Sequence, residues 1–172
     1  MTHTEALEFL SPLAIAAGES WADLGAGTGV FSRALADFVG KTGKVYALDK
    51  NAASLRQLRD QNGQIEVLQG DFTRPLHLQN LDGILLANSL HYVRRQATLL
   101  TGLQTNLKQN GQIAIIEYES RTPNPWVPYP ISFSKLEHLA ERLNISPPEK
   151  LATRASRYHG EMYLAVLFQR IR

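Results

Sequence analysis

Cysteine is absent from the 172-residue sequence, which excludes a disulfide framework, a thiolate metal site and a cysteine nucleophile together. Also missing is any run approaching about 18 uninterrupted apolar residues, the length a membrane-spanning helix needs. The first residues, Met1-Thr2-His3-Thr4-Glu5, hold no basic stretch leading into an apolar one, so a secretory leader is not expected and a cytoplasmic location is. There is little excess of either charge sign, since 18 Lys and Arg stand against 16 Asp and Glu for a net charge of +2. Arg94-Arg95 is the only tight basic pair, and Arg154, Arg157, Arg170 and Arg172 do not form a block. The clustered basic stripe with interleaved aromatics that marks nucleic-acid binders is lacking. These absences point to a small-molecule partner, away from nucleic acid, and to no membrane partner. They carry no information on oligomeric state. The length suits one domain, 1–172, around a single core.

What the sequence does contain is an alternation of helix-like and strand-like segments, the pattern of an α/β fold with a largely parallel sheet and helices on both faces. A helix is predicted over Glu5 to Ala17, with Leu7, Leu10 and Ala14 on one face and Gly18 as its cap. Ser20 to Leu24 reads as the first strand, and Phe31, Leu35 and Phe38 mark a helix ended by Gly40. Lys44 to Leu48 is the second strand, followed by a helix capped by Asn51, carrying Leu55 and Leu58, and stopped at Asn62-Gly63. Ile65 to Leu68 and the mostly apolar run Leu81 to Ala87 are strands three and four. A helix over Gln96 to Gln109, closed by Gly111, precedes a fifth strand over Gln112 to Tyr118. Glu119 to Ile131 holds four prolines around Trp126 and Tyr129 and must be a loop. Ser134 and Glu137 have the spacing of a capping box that opens the next helix. Ala152 to Tyr158 and Met162 to Arg170 read as an antiparallel hairpin across His159-Gly160-Glu161.

Gly25-Ala26-Gly27-Thr28-Gly29 lies between the first strand and the next helix, where missing side chains permit a tight turn and close ligand approach. A bare turn would use the same residues. The dinucleotide fingerprint G-x-G-x-x-G is not met, because Val30 stands where its last glycine belongs. Asp49 ends strand two, 20 residues beyond Gly29, where a carboxylate can accept bonds from both ribose hydroxyls or merely sit at a helix start. Asp71 follows strand three, as a further acid on that edge or as an ordinary loop residue. No group of residues suggests a metal.

Taken together, Asp23, the GxGxG loop, Asp49, Asp71 and the count of seven strands resemble the class I S-adenosylmethionine-dependent methyltransferases over nearly the whole chain. The resemblance implies a Rossmann-like seven-stranded sheet of order 3-2-1-4-5-7-6, strand seven antiparallel, and S-adenosyl-L-methionine as cofactor. By position, Asp23 with the backbone of Gly25, Ala26, Gly27 and Gly29 would hold the methionine part, Asp49 with neighbouring Lys50 the ribose side, and Asp71 and Phe72 the adenine. Asn88, ending strand four, would lie beside the methionine and the acceptor. A sulfonium cation and a ribose suit an acceptor-rich mouth. Asn88-Ser89-Leu90-His91-Tyr92 is similar to the small-molecule members, lacking the proline pair of those that methylate amino groups of nucleic acids.

The expected activity is therefore methyl transfer to an oxygen or nitrogen of a small-molecule acceptor. His91 is the candidate catalytic base, since an unperturbed imidazole titrates near neutrality; the alternative is that it packs beneath the loop. His159 reads as a turn residue or a contact on the acceptor side. The proline loop leaves strand five on the cofactor edge and serves either as a cover or as a crossover packing Trp126. Other readings remain: a non-catalytic cofactor-binding module or subunit, an RNA methyltransferase, and a nicotinamide oxidoreductase that Val30 disfavours.

Overall fold

The computed structural model describes residues 1–58, 63–143, 145–156 and 160–168. In chain order the elements are α1 (His3–Leu10), β1 (Ser20–Leu24), α2 (Val30–Val39), β2 (Lys44–Asp49), α3 (Ala52–Leu55), β3 (Ile65–Gln69) and β4 (Leu81–Ala87). A short 3-10 turn, Leu90–Tyr92, follows, then α4 (Gln96–Gln104), β5 (Leu107–Tyr118), α5 (Phe133–Leu143), β6 (Glu149–Ala155) and β7 (Glu161–Phe168). The seven strands form one sheet of order β3-β2-β1-β4-β5-β7-β6, the order expected. Strands β1 to β5 pair in parallel, while β7 runs antiparallel between β5 and β6.

The central strands are mostly apolar because both faces of the sheet are covered. Alternate side chains of β4 and β5 go to opposite layers. Ile84, Leu86, Ile113 and Ile115 join Leu100, Leu103 and Leu136 on one face. Leu85, Ala114 and Ile116 join Phe9, Leu10, Leu35 and Val39 on the other. Trp21 of β1 is fully buried in the second layer, and a Cβ added at Gly83 would stand 2.5 Å from its ring atoms. Gly83 is thus a packing requirement of that indole. Gly83→Ala is expected to destabilise the protein by about 1–3 kcal/mol, the usual cost of overpacking a closed core. A urea midpoint unchanged from the parent would refute it.

Several boundaries differ from the expectation, each for a physical reason. Helix α1 stops at Leu10 because Pro12 follows directly, whereas the apolar spacing alone suggested continuation to Ala17. Helix α4 stops at Gln104, not Gln109. Asn106 there donates from its side-chain amide to the carbonyls of Leu76 and Leu78, and Leu107 already pairs with Leu81. Gly111 therefore lies inside a longer β5, beside Asn110 at φ 68, where the register shifts. Ser132, rather than Ser134, caps α5, its hydroxyl accepting from the Lys135 N–H at 3.3 Å. Asn51 caps α3 as expected, by bonds of 3.0 and 3.2 Å to Ala53 and Ser54, but the helix runs only to Leu55. Its expected stop at Asn62 and the turn residue His159 lie outside the described residues. The closing pair of strands is antiparallel as expected, with bounds about three residues earlier for β6 and one earlier for β7 at their starts.

Candidate functional site

Parallel pairing brings the carboxyl ends of β1, β2, β3 and β4 to one edge, and the order reverses between β1 and β4, leaving a crevice there. The loop after β1 is held down by two bonds to the Leu48 carbonyl, from the N–H groups of Gly25 (2.8 Å) and Ala26 (3.1 Å). Its three glycines adopt φ of +87, +55 and +80. Their surroundings differ. A Cβ on Gly25 would meet the Ser89 Cβ at 2.6 Å, and one on Gly29 the Leu58 Cδ1 at 2.0 Å. A Cβ on Gly27 would meet nothing within 4 Å, so that position alone borders open space.

Asp49 organises this loop as well as facing the crevice. One carboxylate oxygen accepts the Gly27 N–H and the other the Asn51 N–H, both at 2.8 Å. Lone pairs remain on each oxygen for hydroxyl donors. A cavity of about 330 Å³ lies here, lined among others by Gly25, Asp49, Lys50, Asp71, Phe72 and Asn88. Asp71 is exposed, and its Oδ1 accepts the hydroxyl (2.7 Å) and N–H (2.9 Å) of Thr73, which hold its carboxyl below the usual range. Phe72 packs toward Gly25.

Beneath the loop, Asp23 is 1% exposed. Its Oδ2 accepts the Ser32 hydroxyl at 2.6 Å, while its Oδ1 has no partner among the described residues. Burial raises its pKa to about 6; the charge of Asp49 adds to the rise and the Ser32 bond opposes it. Asn88 also carries a buried, unpartnered Oδ1 and stands at φ 51, a left-handed position Asn tolerates. Its N–H ends β4 by bonding the Ile116 carbonyl at 2.8 Å, and the neighbouring Ser89 hydroxyl ties β4 to β1 through the Leu24 carbonyl at 2.6 Å. An unpaired buried acceptor is costly, so two of them near the carboxyl ends of the paired strands β1 and β4 ask for a ligand that brings donors or positive charge.

His91 does not line that cavity, although Ser89, Tyr92 and Val93 around it do. It is 2% exposed, and Glu117, 1% exposed, accepts both its Nδ1–H at 2.6 Å and its backbone N–H at 3.0 Å. With Glu117 as the acceptor, Nδ1 carries a ring proton. The proline loop is latched over this turn. The Tyr129 N–H donates to the His91 carbonyl at 3.0 Å, and Gln96 Nε2 donates to the carbonyls of Tyr129 (2.8 Å) and Leu90 (3.3 Å). Glu117 was missed in the sequence, where its signal was a single acid within the apolar run Ile113 to Glu117 of β5. Among the described residues no group of three or more potential ligands forms a metal site.

A family model described as "Methyltransferase domain" matches residues 15–158. The ubiquinone/menaquinone biosynthesis C-methyltransferase UbiE of Pseudomonas savastanoi pv. phaseolicola is 29% identical over 107 residues, covering 58% of this chain and 42% of that protein. The demethylmenaquinone methyltransferase of Lactobacillus johnsonii is 34% identical over 125 residues, covering 69% of this chain and 51% of that one. The chain thus spans about half the length of these relatives. Among solved structures, a SAM-dependent methyltransferase from Aquifex aeolicus superimposes with a TM-score of 0.73 at 20% identity, covering 94% of this chain and 89% of that one. The YcgJ protein of Bacillus subtilis gives 0.79 at 12% identity, covering 99% and 100%. At such identities the structural likeness speaks for the fold.

Proposed function

Because the chain belongs to the methyltransferase-domain family, we propose that it transfers a methyl group from S-adenosylmethionine to a ring carbon of a small, hydroxylated, quinol-type acceptor. The pair of orphaned buried acceptors, Asp23 Oδ1 and Asn88 Oδ1, carries the cofactor half of this reading. They offer negative potential and lone pairs where a ligand with an ammonium and a sulfonium supplies their complement. Asp49 is suited to ribose hydroxyls through its remaining lone pairs, Asp71 to an exocyclic amine, Phe72 to the face of a base, and Lys50 and Ala26 to the rim. The bound cofactor would supply an electrophilic methyl group on sulfur.

The chain's own task is then to hold the acceptor in line and remove its proton. His91 Nε2 is the base in this proposal, with Glu117 fixing the ring's tautomer and angle. Removing the proton of a ring hydroxyl raises electron density at both that oxygen and the adjacent ring carbons. The same base therefore serves an oxygen acceptor, one half of the oxygen-or-nitrogen expectation from sequence, and a carbon one, where the methylated ring carbon must also release its hydrogen as a proton, which returns to the ring oxygen and restores the hydroxyl. The name of the UbiE relative, a C-methyltransferase of quinone biosynthesis, favours carbon here. The loop from 119 to 131 is latched to the His91 turn, and because His91 is 2% exposed the loop must lift for an acceptor to reach Nε2.

Calorimetry with S-adenosylmethionine tests the first half, and turnover with hydroxylated naphthoquinols, followed by mass spectrometry and NMR of the product, tests the second. No cofactor binding would remove the whole reading, bound cofactor without turnover would leave a binding module, and an O-methyl product would return the acceptor to oxygen.

Asp23 adds a pH dependence. Its ionised form is the one that attracts an ammonium, so affinity is expected to hold above about pH 6 and to fall by up to about tenfold per unit below it. Its effect on stability has the opposite sense. The folded state holds a proton that the unfolded chain releases near 3.8, so stability from this group is fullest below 3.8 and lost as pH rises through about 6, on the order of 3 kcal/mol in total. Asp23→Asn should flatten both curves. Parallel slopes for parent and variant would show that Asp23 is not the titrating group.

A further inference from the structure

The outer side of the loop latched to His91 carries a second surface, turned away from the cofactor cavity. Two concavities of about 630 and 550 Å³ meet along the proline loop, α4 and α5, and share Arg94, Lys135 and His138. Arg121 lines one, and Arg95 and Arg142 the other, while neither wall includes an Asp or Glu. For a chain whose net charge is only +2, this is a strong local asymmetry. Elsewhere Lys44, Lys108, Lys150 and Arg154 each pair with a carboxylate. Among the described residues none of Arg94, Arg95, Arg121, Lys135 and Arg142 does.

Beside these cations stands a rigid apolar projection. Asn124 Oδ1 accepts the N–H groups of Trp126 (2.8 Å) and Val127 (2.9 Å), and Asn124 and Val127 also pair by their backbones. Val127 is buried at 1% exposure, yet the same turn holds Trp126 out at 73%. Pro123 and Pro128, on either side of Trp126, line the larger concavity together with Tyr129, itself 39% exposed. An ordered turn that presents an indole to solvent, next to a concavity lined by Arg94 and Arg121 without carboxylate partners and by Lys135, whose ammonium donates to the Pro130 carbonyl at 2.7 Å, matches the chemistry of a lipid interface, where Trp and Tyr sit at headgroup depth and cations meet anionic headgroups. A base-stacking platform would place its aromatics on the floor of the basic groove, whereas Trp126 stands proud of it.

We infer that this face, with Trp126 as its inserted residue and Arg94, Arg121 and Lys135 as its headgroup contacts, docks onto an anionic membrane surface. The expectation of no membrane partner rested on the lack of a spanning segment. Among the described residues no helix is long and apolar enough to span, and surface docking requires none. The inference goes beyond the methyl-transfer reading and does not depend on it.

The protein supplies its own reporter, since it has two tryptophans and Trp21 is fully buried with its indole N–H on Glu19. Vesicles of phosphatidylcholine with phosphatidylglycerol should shift Trp126 emission to the blue and pellet the protein, and high salt should reverse both. Arg94→Gln combined with Arg121→Gln should weaken partitioning by about thirtyfold, at roughly a fivefold factor per removed charge. Trp126→Ser should abolish the shift, and circular dichroism checks that each variant is folded. Equal binding to phosphatidylcholine alone, or pelleting without a Trp126 shift, would overturn the inference. So would a blue shift that grows with protein concentration in the absence of vesicles, which marks self-association. A response to a short RNA oligonucleotide with none to vesicles would assign the face to nucleic acid instead.

Discussion

Gly27→Val is expected to weaken S-adenosylmethionine binding by more than about a hundredfold while the protein remains folded. The three loop glycines differ in what a side chain would strike. At Gly29 a Cβ runs into Leu58 and at Gly25 into Ser89, so substitutions there disturb packing within the protein. At Gly27 a Cβ would meet nothing within 4 Å, and in the proposed cofactor site a branched side chain would fill the room left for the ligand's approach to the backbone. The cost to the fold is the left-handed conformation at φ +55, about 1–2 kcal/mol for a residue with a Cβ. Calorimetry on Gly27→Val, with its thermal midpoint measured alongside, separates the two effects. Normal affinity in a folded variant would reduce the loop to a turn.

His91→Gln should lower kcat by about 10²–10⁴ with cofactor affinity nearly intact, because it removes the proposed base from a site that otherwise still positions its reactants. Glutamine is the better probe than alanine. Its amide can still donate to Glu117, whereas His91→Ala leaves a carboxylate at 1% exposure with its ring partner gone, a loss that threatens the fold. Glu117→Gln should cost less than His91→Gln, acting only through the orientation of the ring. A drop in kcat of less than about threefold in folded His91→Gln would end the base assignment and leave proximity as the source of rate. A lowered thermal midpoint with kcat preserved would make His91 a core residue.

Much of this architecture was legible in the sequence, and the exceptions share a cause. The bounds of β1 and β4 could be read directly, since both strands are mostly apolar and stop sharply before Gly25 and Asn88. The same holds for the edge carboxylates Asp49 and Asp71, which the cavity gathers together with Lys50, Phe72 and Asn88. The end of α4 was not legible, because Asn106 is claimed by carbonyls about thirty residues earlier in the chain and Leu107 by a strand partner. The cap at Ser132 went unseen because the Ser-x-x-Glu spacing at Ser134 looks equally good locally. Glu117 became significant only once β5 had been laid beside the turn at His91, a contact 26 residues long in sequence. Likewise, Arg94, Arg121 and Lys135 are scattered in the chain and converge only in space.

The placement of β7 bears on how the chain is made. This strand lies between β5 and β6 and has Tyr163, Leu164, Ala165 and Val166 buried in the two layers of the core. A ribosome that has released everything up to β6 has delivered all the groups of the cofactor crevice, yet the β5 edge beside it has no neighbour. Its unpaired backbone and the apolar faces around it are a template for other nascent chains until β7 emerges. The binding groups are therefore complete in sequence well before the sheet can close, and it is the passage of Glu161–Phe168 from the exit tunnel that commits the polypeptide to a closed core and sets the window in which a holding chaperone would be of use.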